Sequence, residues 1–149
     1  MFHKFFEDYE VNERWTSDAR TITEADIIQF AGFSGDWNSL HIDQEYAKQG
    51  PFGKRIAHGL LVLSIASGRN VFGSGKAYAF YGIDHLRFIQ PVYVGDTIHV
   101  EMTVEKIEEK MENAGLLTVK QQVVKQNGET AIVSTIKVLI NKRHSPFGK

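Results

Sequence analysis

The chain has 149 residues, 42% of them hydrophobic and 23% charged, and its 17 basic and 18 acidic side chains leave a net charge of −1. That length suits one domain with a sizeable core, and that balance argues against a nucleic-acid footprint or a polybasic membrane anchor. Cysteine is absent, which excludes disulfides, thiolate zinc sites, Cys-ligated iron–sulfur clusters and Cys nucleophiles.

No run approaches the ~18 apolar residues of a membrane span. The acidic opening MFHKFFEDYE has no signal-peptide core. The sequence therefore reads as a soluble cytoplasmic protein, and the lack of cysteine suits that reducing compartment. No internal repeat divides it, so 1–149 is expected to be a single domain, with 142–149 as a loose tail.

Residues 1–14 are mixed and are expected to form an opening turn. Arg20 to Thr23 reads as a short strand. Thr23 followed by Asp26 resembles a capping box, with Ile27, Ile28, Phe30 and Ala31 as the apolar face of the helix it starts. Gly32 and Gly35 mark its stop. Residues 36–57 lack steady periodicity and hold Gly50-Pro51 and Gly53, so an irregular or partly helical loop is expected. Loops of that length in compact domains are often functional.

His58-Gly59 opens a second helix running to about Asn70. Leu60, Leu61, Val62, Leu63, Ile65 and Ala66 cover nearly every side of it, which predicts a buried helix. Gly68 and Gly73 bracket its exit. The second half reads as strands. Ala77 to Phe88 is aromatic, and Tyr78, Phe80, Tyr81 and Phe88 are expected in the core. A turn at Pro91 and Gly95-Asp96 follows. Ile98, Val100, Met102 and Val104 then alternate with polar residues at a period of two. Leu117, Val119 and Val123 carry the next strand, Asn127-Gly128 a hairpin turn, and Ile132 to Ile140 the last strand. The Lys/Glu run from 105 to 112 reads as a solvated strand end and turn. One buried helix against about four antiparallel strands is an α+β arrangement. Its exposed sheet edge predicts dimerisation edge to edge.

Two clusters could carry chemistry. Asp36, Asn38, His41 and Asp43 lie close together on the long loop, and an Asp–His pair there could hold a water and accept its proton. The same residue types cap helices and make turns, so spacing alone leaves both readings open. At His58-Gly59 the N–H at the helix start could donate to a developing oxyanion. Equally, Gly59 could relieve packing while His58 caps the turn. Ser64 and Ser67 on the same helix are expected to bond the preceding-turn carbonyl, although either could orient a loop carboxylate. No Gly-x-Ser-x-Gly elbow is present. Gly73-Ser-Gly75 lacks both the third glycine of a dinucleotide fingerprint and the Lys-Ser/Thr of a P-loop. His3, His85, His99 and His144 are scattered and His41-x-Asp43 lacks further ligands, so no metal site is expected.

The segments FAGFSGDWNSLHID, FGKRIAHGLLVLS and HLRFIQPVYVGDTI resemble the MaoC-like dehydratases, which include the (R)-specific enoyl-CoA hydratases. The resemblance covers roughly residues 14–140. It implies a hot-dog fold, an antiparallel sheet wrapped round one central helix, in a homodimer or a higher assembly of dimers with acyl-CoA sites at the interface. It places the family's catalytic carboxylate and imidazole on Asp36 and His41, and its oxyanion-hole glycine on Gly59. Ser67 falls on the helix serine near the active site and Asn38 on the motif asparagine. His58 is a supporting residue, and Ser39 stands where many members have proline. The implied reaction is reversible syn addition of water to a trans-2-enoyl-CoA, giving a (3R)-hydroxyacyl-CoA. It needs no metal or redox cofactor, since coenzyme A is part of the substrate. A hot-dog thioesterase is the alternative enzyme, disfavoured because residues 59–72 hold no carboxylate. A non-catalytic acyl-CoA-binding module is the alternative without chemistry.

Overall fold

The computed structural model describes residues 1–70 and 76–148. Gly73 and the Gly73-Ser-Gly75 motif lie outside them.

The capping box at Thr23 is formed. The Asp26 N–H donates to Thr23 Oγ1 at 3.2 Å, and the Thr23 N–H donates to Asp26 Oδ2 at 2.8 Å. Helix α1 (Glu24–Ser34) follows and ends at Gly35, whose φ of 79° only glycine adopts without strain. Ile27 and Ala31 are buried under it, whereas Ile28 faces solvent. The long loop contains two short helices, α2 (Ser39–Ile42) and α3 (Gln44–Lys48).

Helix α4 (Gly59–Arg69) is the central helix. It buries one face, Leu61, Val62, Ile65 and Ala66. Each of the larger three contributes about 1.5–3 kcal/mol by leaving water. The expected burial on all sides does not hold within one chain. Leu60 is 58% exposed, and Ser64 and Ser67 also face outward.

Six antiparallel strands are present among the described residues, in the order β1-β4-β5-β6-β3, with β2 also on β4. The four long ones were legible in the sequence: β3 (Ala77–Phe88), β4 (Thr97–Glu109), β5 (Ala114–Lys125) and β6 (Thr130–Asn141). The short β1 (Arg14–Thr16) and β2 (Arg20–Thr21) both pair with β4. The period-two pattern of β4 turns Ile98, Val100, Met102 and Val104 inward. They meet the buried face of α4 in one hydrophobic cluster. This is the α+β hot-dog arrangement.

Three expectations need correction. Residues 1–14 are more than an opening turn, because Met1, Phe2, Phe6 and Tyr9 join the same core. Tyr78, Phe80, Tyr81 and Phe88 are not core within the chain and are 44–52% exposed, because β3 is the outer strand of the sheet. The segment after β6 is tied down in part: Ser145 is buried and donates to Asn141 Oδ1 at 2.8 Å.

Candidate active site

Three side chains converge where the long loop meets the start of α4. Asp36 follows the glycine that ends α1, and Asn38 caps α2, its Oδ1 accepting the Leu40 N–H at 2.9 Å. One turn of α2 then carries His41 back toward Asp36. Asp36 Oδ2 and His41 Nε2 lie 3.9 Å apart. The carboxylate is half exposed and the imidazole nearly buried.

His41 is oriented from behind. Its Nδ1 lies 2.8 Å from the Ile56 carbonyl oxygen. A carbonyl only accepts, so Nδ1 carries a hydrogen and Nε2 is the nitrogen that faces Asp36. His58 lies beneath it, with ring centroids 3.8 Å apart and planes inclined by 28°. His58 Nε2 donates to the Asp36 carbonyl oxygen at 2.9 Å. His58 therefore supports the ring of one residue and the backbone of the other. Its own Nδ1 is buried with no partner among the described residues.

The loop is pinned from outside. Arg55 donates to both carboxylate oxygens of Glu24 on α1, each at 2.7 Å. That hydrogen bonding holds the Glu24 carboxyl below its ordinary range. The Ile56 N–H donates to the Leu40 carbonyl at 3.4 Å, closing α2 against the strand of chain that leads into α4.

Gly59 begins α4 directly after His58. The N–H groups of a helix's first turn have no acceptor within the helix and sit at its positive end. A Cβ built on Gly59 would lie 2.7 Å from the Phe88 ring, so only glycine lets that ring approach the helix start. A cavity of about 300 Å³ opens beside it, lined among others by Ile56, Leu60, Phe88 and Pro91.

Asp36, His41, His58 and Gly59 thus come together, with Asn38 shaping the turn between the first two. Asp43 does not join them, since it caps α3 by accepting the Tyr46 N–H at 3.0 Å. Ser67 lies eight residues after Gly59, about 12 Å along the helix axis. Ser64 Oγ donates to the Leu60 carbonyl, as helix serines often do. The stacking of His58 on His41 and the Arg55–Glu24 clamp have no signature in the sequence, because their partners are distant along the chain. The Asp36, His41 and His58 ligating atoms lie within 4.8 Å of one another. In each ring one nitrogen bonds a backbone carbonyl, that of Ile56 for His41 and that of Asp36 for His58.

A sheet wrapped on one helix, with a carboxylate and an imidazole facing each other at that helix's N-terminus, defines a hot-dog domain with a polar site. The fold is shared with a Mycobacterium tuberculosis protein that has a double hot-dog fold, at a TM-score of 0.84 and 16% identity, over 95% of this chain and 45% of that one. The family described as MaoC like domain matches residues 9–127, and the chain belongs to it. Protein MaoC of Klebsiella aerogenes is 42% identical over 106 residues, which are 70% of this chain and 32% of that protein. The chain thus spans about a third of that relative. An (R)-specific enoyl-CoA hydratase of Rhodospirillum rubrum is 40% identical over 103 residues, 67% of this chain and 69% of the relative. The crystal structure of a MaoC-like dehydratase from the same organism superposes with a TM-score of 0.84 at 29% identity, covering 94% of this chain and 98% of that one.

Proposed function

We propose that the protein adds water reversibly to a trans-2-enoyl-CoA and forms a (3R)-hydroxyacyl-CoA. The observation that carries this reading is the facing carboxylate and imidazole, with Asp36 Oδ2 and His41 Nε2 3.9 Å apart beside the start of α4. With a neutral imidazole both atoms are acceptors, and a donor between them relieves their repulsion. One water fits, giving a hydrogen to each and turning its oxygen lone pair outward. The Rhodospirillum rubrum relative's named activity supports the same reading.

In the reaction the thioester carbonyl rests against the Gly59 N–H. As the water oxygen bonds to the β-carbon, its proton passes to one member of the pair. The electron pair of the double bond moves toward the carbonyl, and the N–H and helix dipole stabilise the enolate charge. A proton then returns to the α-carbon on the same face, so H and OH are added with nothing left over. Coenzyme A travels with the substrate, and no metal or redox cofactor takes part. A thioesterase with its carboxylate on the central helix is disfavoured, because α4 reads GLLVLSIASGR. The working unit in this proposal is a homodimer, in which a second copy covers the exposed face of β3.

The test is loss of enoyl absorbance with trans-2-butenoyl-CoA and trans-2-octenoyl-CoA. Wild type is expected to hydrate at least one of them. Asp36→Asn, nearly isosteric but unable to take the proton, is expected to lose about 10²- to 10⁴-fold in turnover. Equal rates for the two proteins, or release of free thiol, would overturn the reading.

A further inference from the structure

Gly59, Leu63 and Ser67 of α4 and Asn70, which caps its end, follow one another at intervals of four, four and three residues, which places them in one row along the helix. The far part of that row borders a second cavity of about 290 Å³, lined by Leu63, Ser67, Asn70, Phe80, Gln121 and Ile136 among others. Its walls are mostly apolar, but its inner end is not. Asn70 and Gln121 are 3% and 2% exposed and Ser134 is 4% exposed. Asn70 Nδ2 donates to Gln121 Oε1 at 3.1 Å, and Gln121 Nε2 donates to Ser134 Oγ at 3.2 Å. The chain of bonds stops there. Asn70 Oδ1 is buried and has no partner among the described residues.

A buried acceptor without a donor is costly, and native proteins rarely keep one without a use. We infer that this cavity receives the far end of the acyl group and selects one that ends in a neutral hydrogen-bonding group, a hydroxyl above all. The inference rests on the acyl-CoA reading of the site and adds the kind of acyl group. A chain laid along the row from Gly59 meets Leu63 first, then the serine, then the Asn70 amide. A hydroxyl there donates to Oδ1 after a small rotation of the Asn70 side chain, because that oxygen lies just behind the cavity wall. If both amides are reversed, Gln121 donates to Asn70, Ser134 donates to Gln121, and it is the Asn70 amide N–H that lacks a partner instead. A hydroxyl satisfies either arrangement, because it both donates and accepts. A terminal methyl satisfies neither. A carboxylate would enter a cavity whose lining includes no cationic side chain among the described residues, which is unfavourable for a buried charge.

The test reads binding and does not depend on turnover. Titration calorimetry compares saturated acyl-CoAs from hexanoyl to dodecanoyl, each with a terminal methyl, hydroxyl or carboxylate. At the best-fitting length, the hydroxyl form is expected to bind wild type at least about tenfold more tightly than the methyl form. The carboxylate form is expected to be the weakest. Asn70→Leu should reverse the hydroxyl–methyl preference, and Gln121→Met should weaken it by a second route if the first variant folds poorly. Methyl forms binding wild type as well as hydroxyl forms at every length would overturn the proposal, as would an unchanged ratio in a folded variant. Hydration of trans-2-butenoyl-CoA by wild type is measured beside it. If that occurs while the preference is missing, only the selectivity fails. If neither hydration nor acyl-CoA binding occurs, both readings fall.

Discussion

Gly59 bears two demands at one backbone position. In the proposed reaction its N–H must be open to a carbonyl, and the Phe88 ring rests where a side chain would begin. Gly59→Ala separates these from helix stability, because alanine is the better helix former. The ring it would displace is about half exposed and can swing aside. The variant is therefore expected to keep a melting temperature near that of wild type while kcat/KM for trans-2-butenoyl-CoA falls up to about 10²-fold, because alanine retains the N–H but its methyl and the shifted ring crowd the carbonyl out of line with it. A large drop in melting temperature with unchanged kcat/KM would mean that the glycine serves packing alone. At this scale the sequence singled out Asp36, His41 and Gly59 but not how they are held. Asp36 and His41 stood out because they lie five residues apart in one polar cluster on the loop that follows α1. The role of His58 was hidden, since a ring that stacks on one residue and bonds the backbone of another leaves no pattern in its own neighbourhood. Asp43 looked equivalent to its neighbours and is a helix cap.

Among the elements, legibility followed periodicity. Strand β4 alternates strictly and was plain, and α1 declared itself by its capping box. The N-terminal segment was opaque for the opposite reason. Phe2, Phe6 and Tyr9 follow no simple period, and their burial depends on strands more than ninety residues further along the chain. The most specific of these contacts is at Gly115 on β5, where a Cβ would sit 2.1 Å from the Phe6 ring. Phe6 is 6% exposed, so the ring has little room to turn away. Gly115→Ala is expected to destabilise the fold by about 1–3 kcal/mol, the range for overpacking a core. Urea unfolding measures this directly. An unchanged midpoint would mean that the N-terminal segment docks loosely and its burial adds little. Pairing the change with Phe6→Ala should recover part of the loss from overpacking, because two residues in contact do not act independently.

Across the whole molecule the two edges of the sheet are treated differently, and this bears on the state in which the protein works. On one side β1 and β2, of three and two residues, lie against β4 and break its edge into short pieces. Short edge strands are a common defence against unwanted pairing. On the other side β3 runs for twelve residues with no strand beyond it among the described residues. It shows Tyr78, Phe80, Tyr81 and Phe88 to solvent, and Leu60 of α4 is also exposed. The sequence marked those aromatics as core. The structure leaves them outside one chain, and both statements agree if a second copy supplies the missing side. An apolar edge left open beside a protected one is the pattern expected of a docking surface. Wild type is accordingly expected to sediment as a dimer at micromolar concentration. Tyr81→Asp, at a residue 52% exposed and away from Asp36 and His41, should shift it toward monomer by placing like charges on the two facing strands. The dimer's melting temperature should rise with protein concentration, and that dependence should vanish in the variant. A wild-type protein that stays monomeric at tens of micromolar, with a melting temperature independent of concentration, would show that β3 serves no second copy. The substrate site would then have to work with the face of α4 open to water.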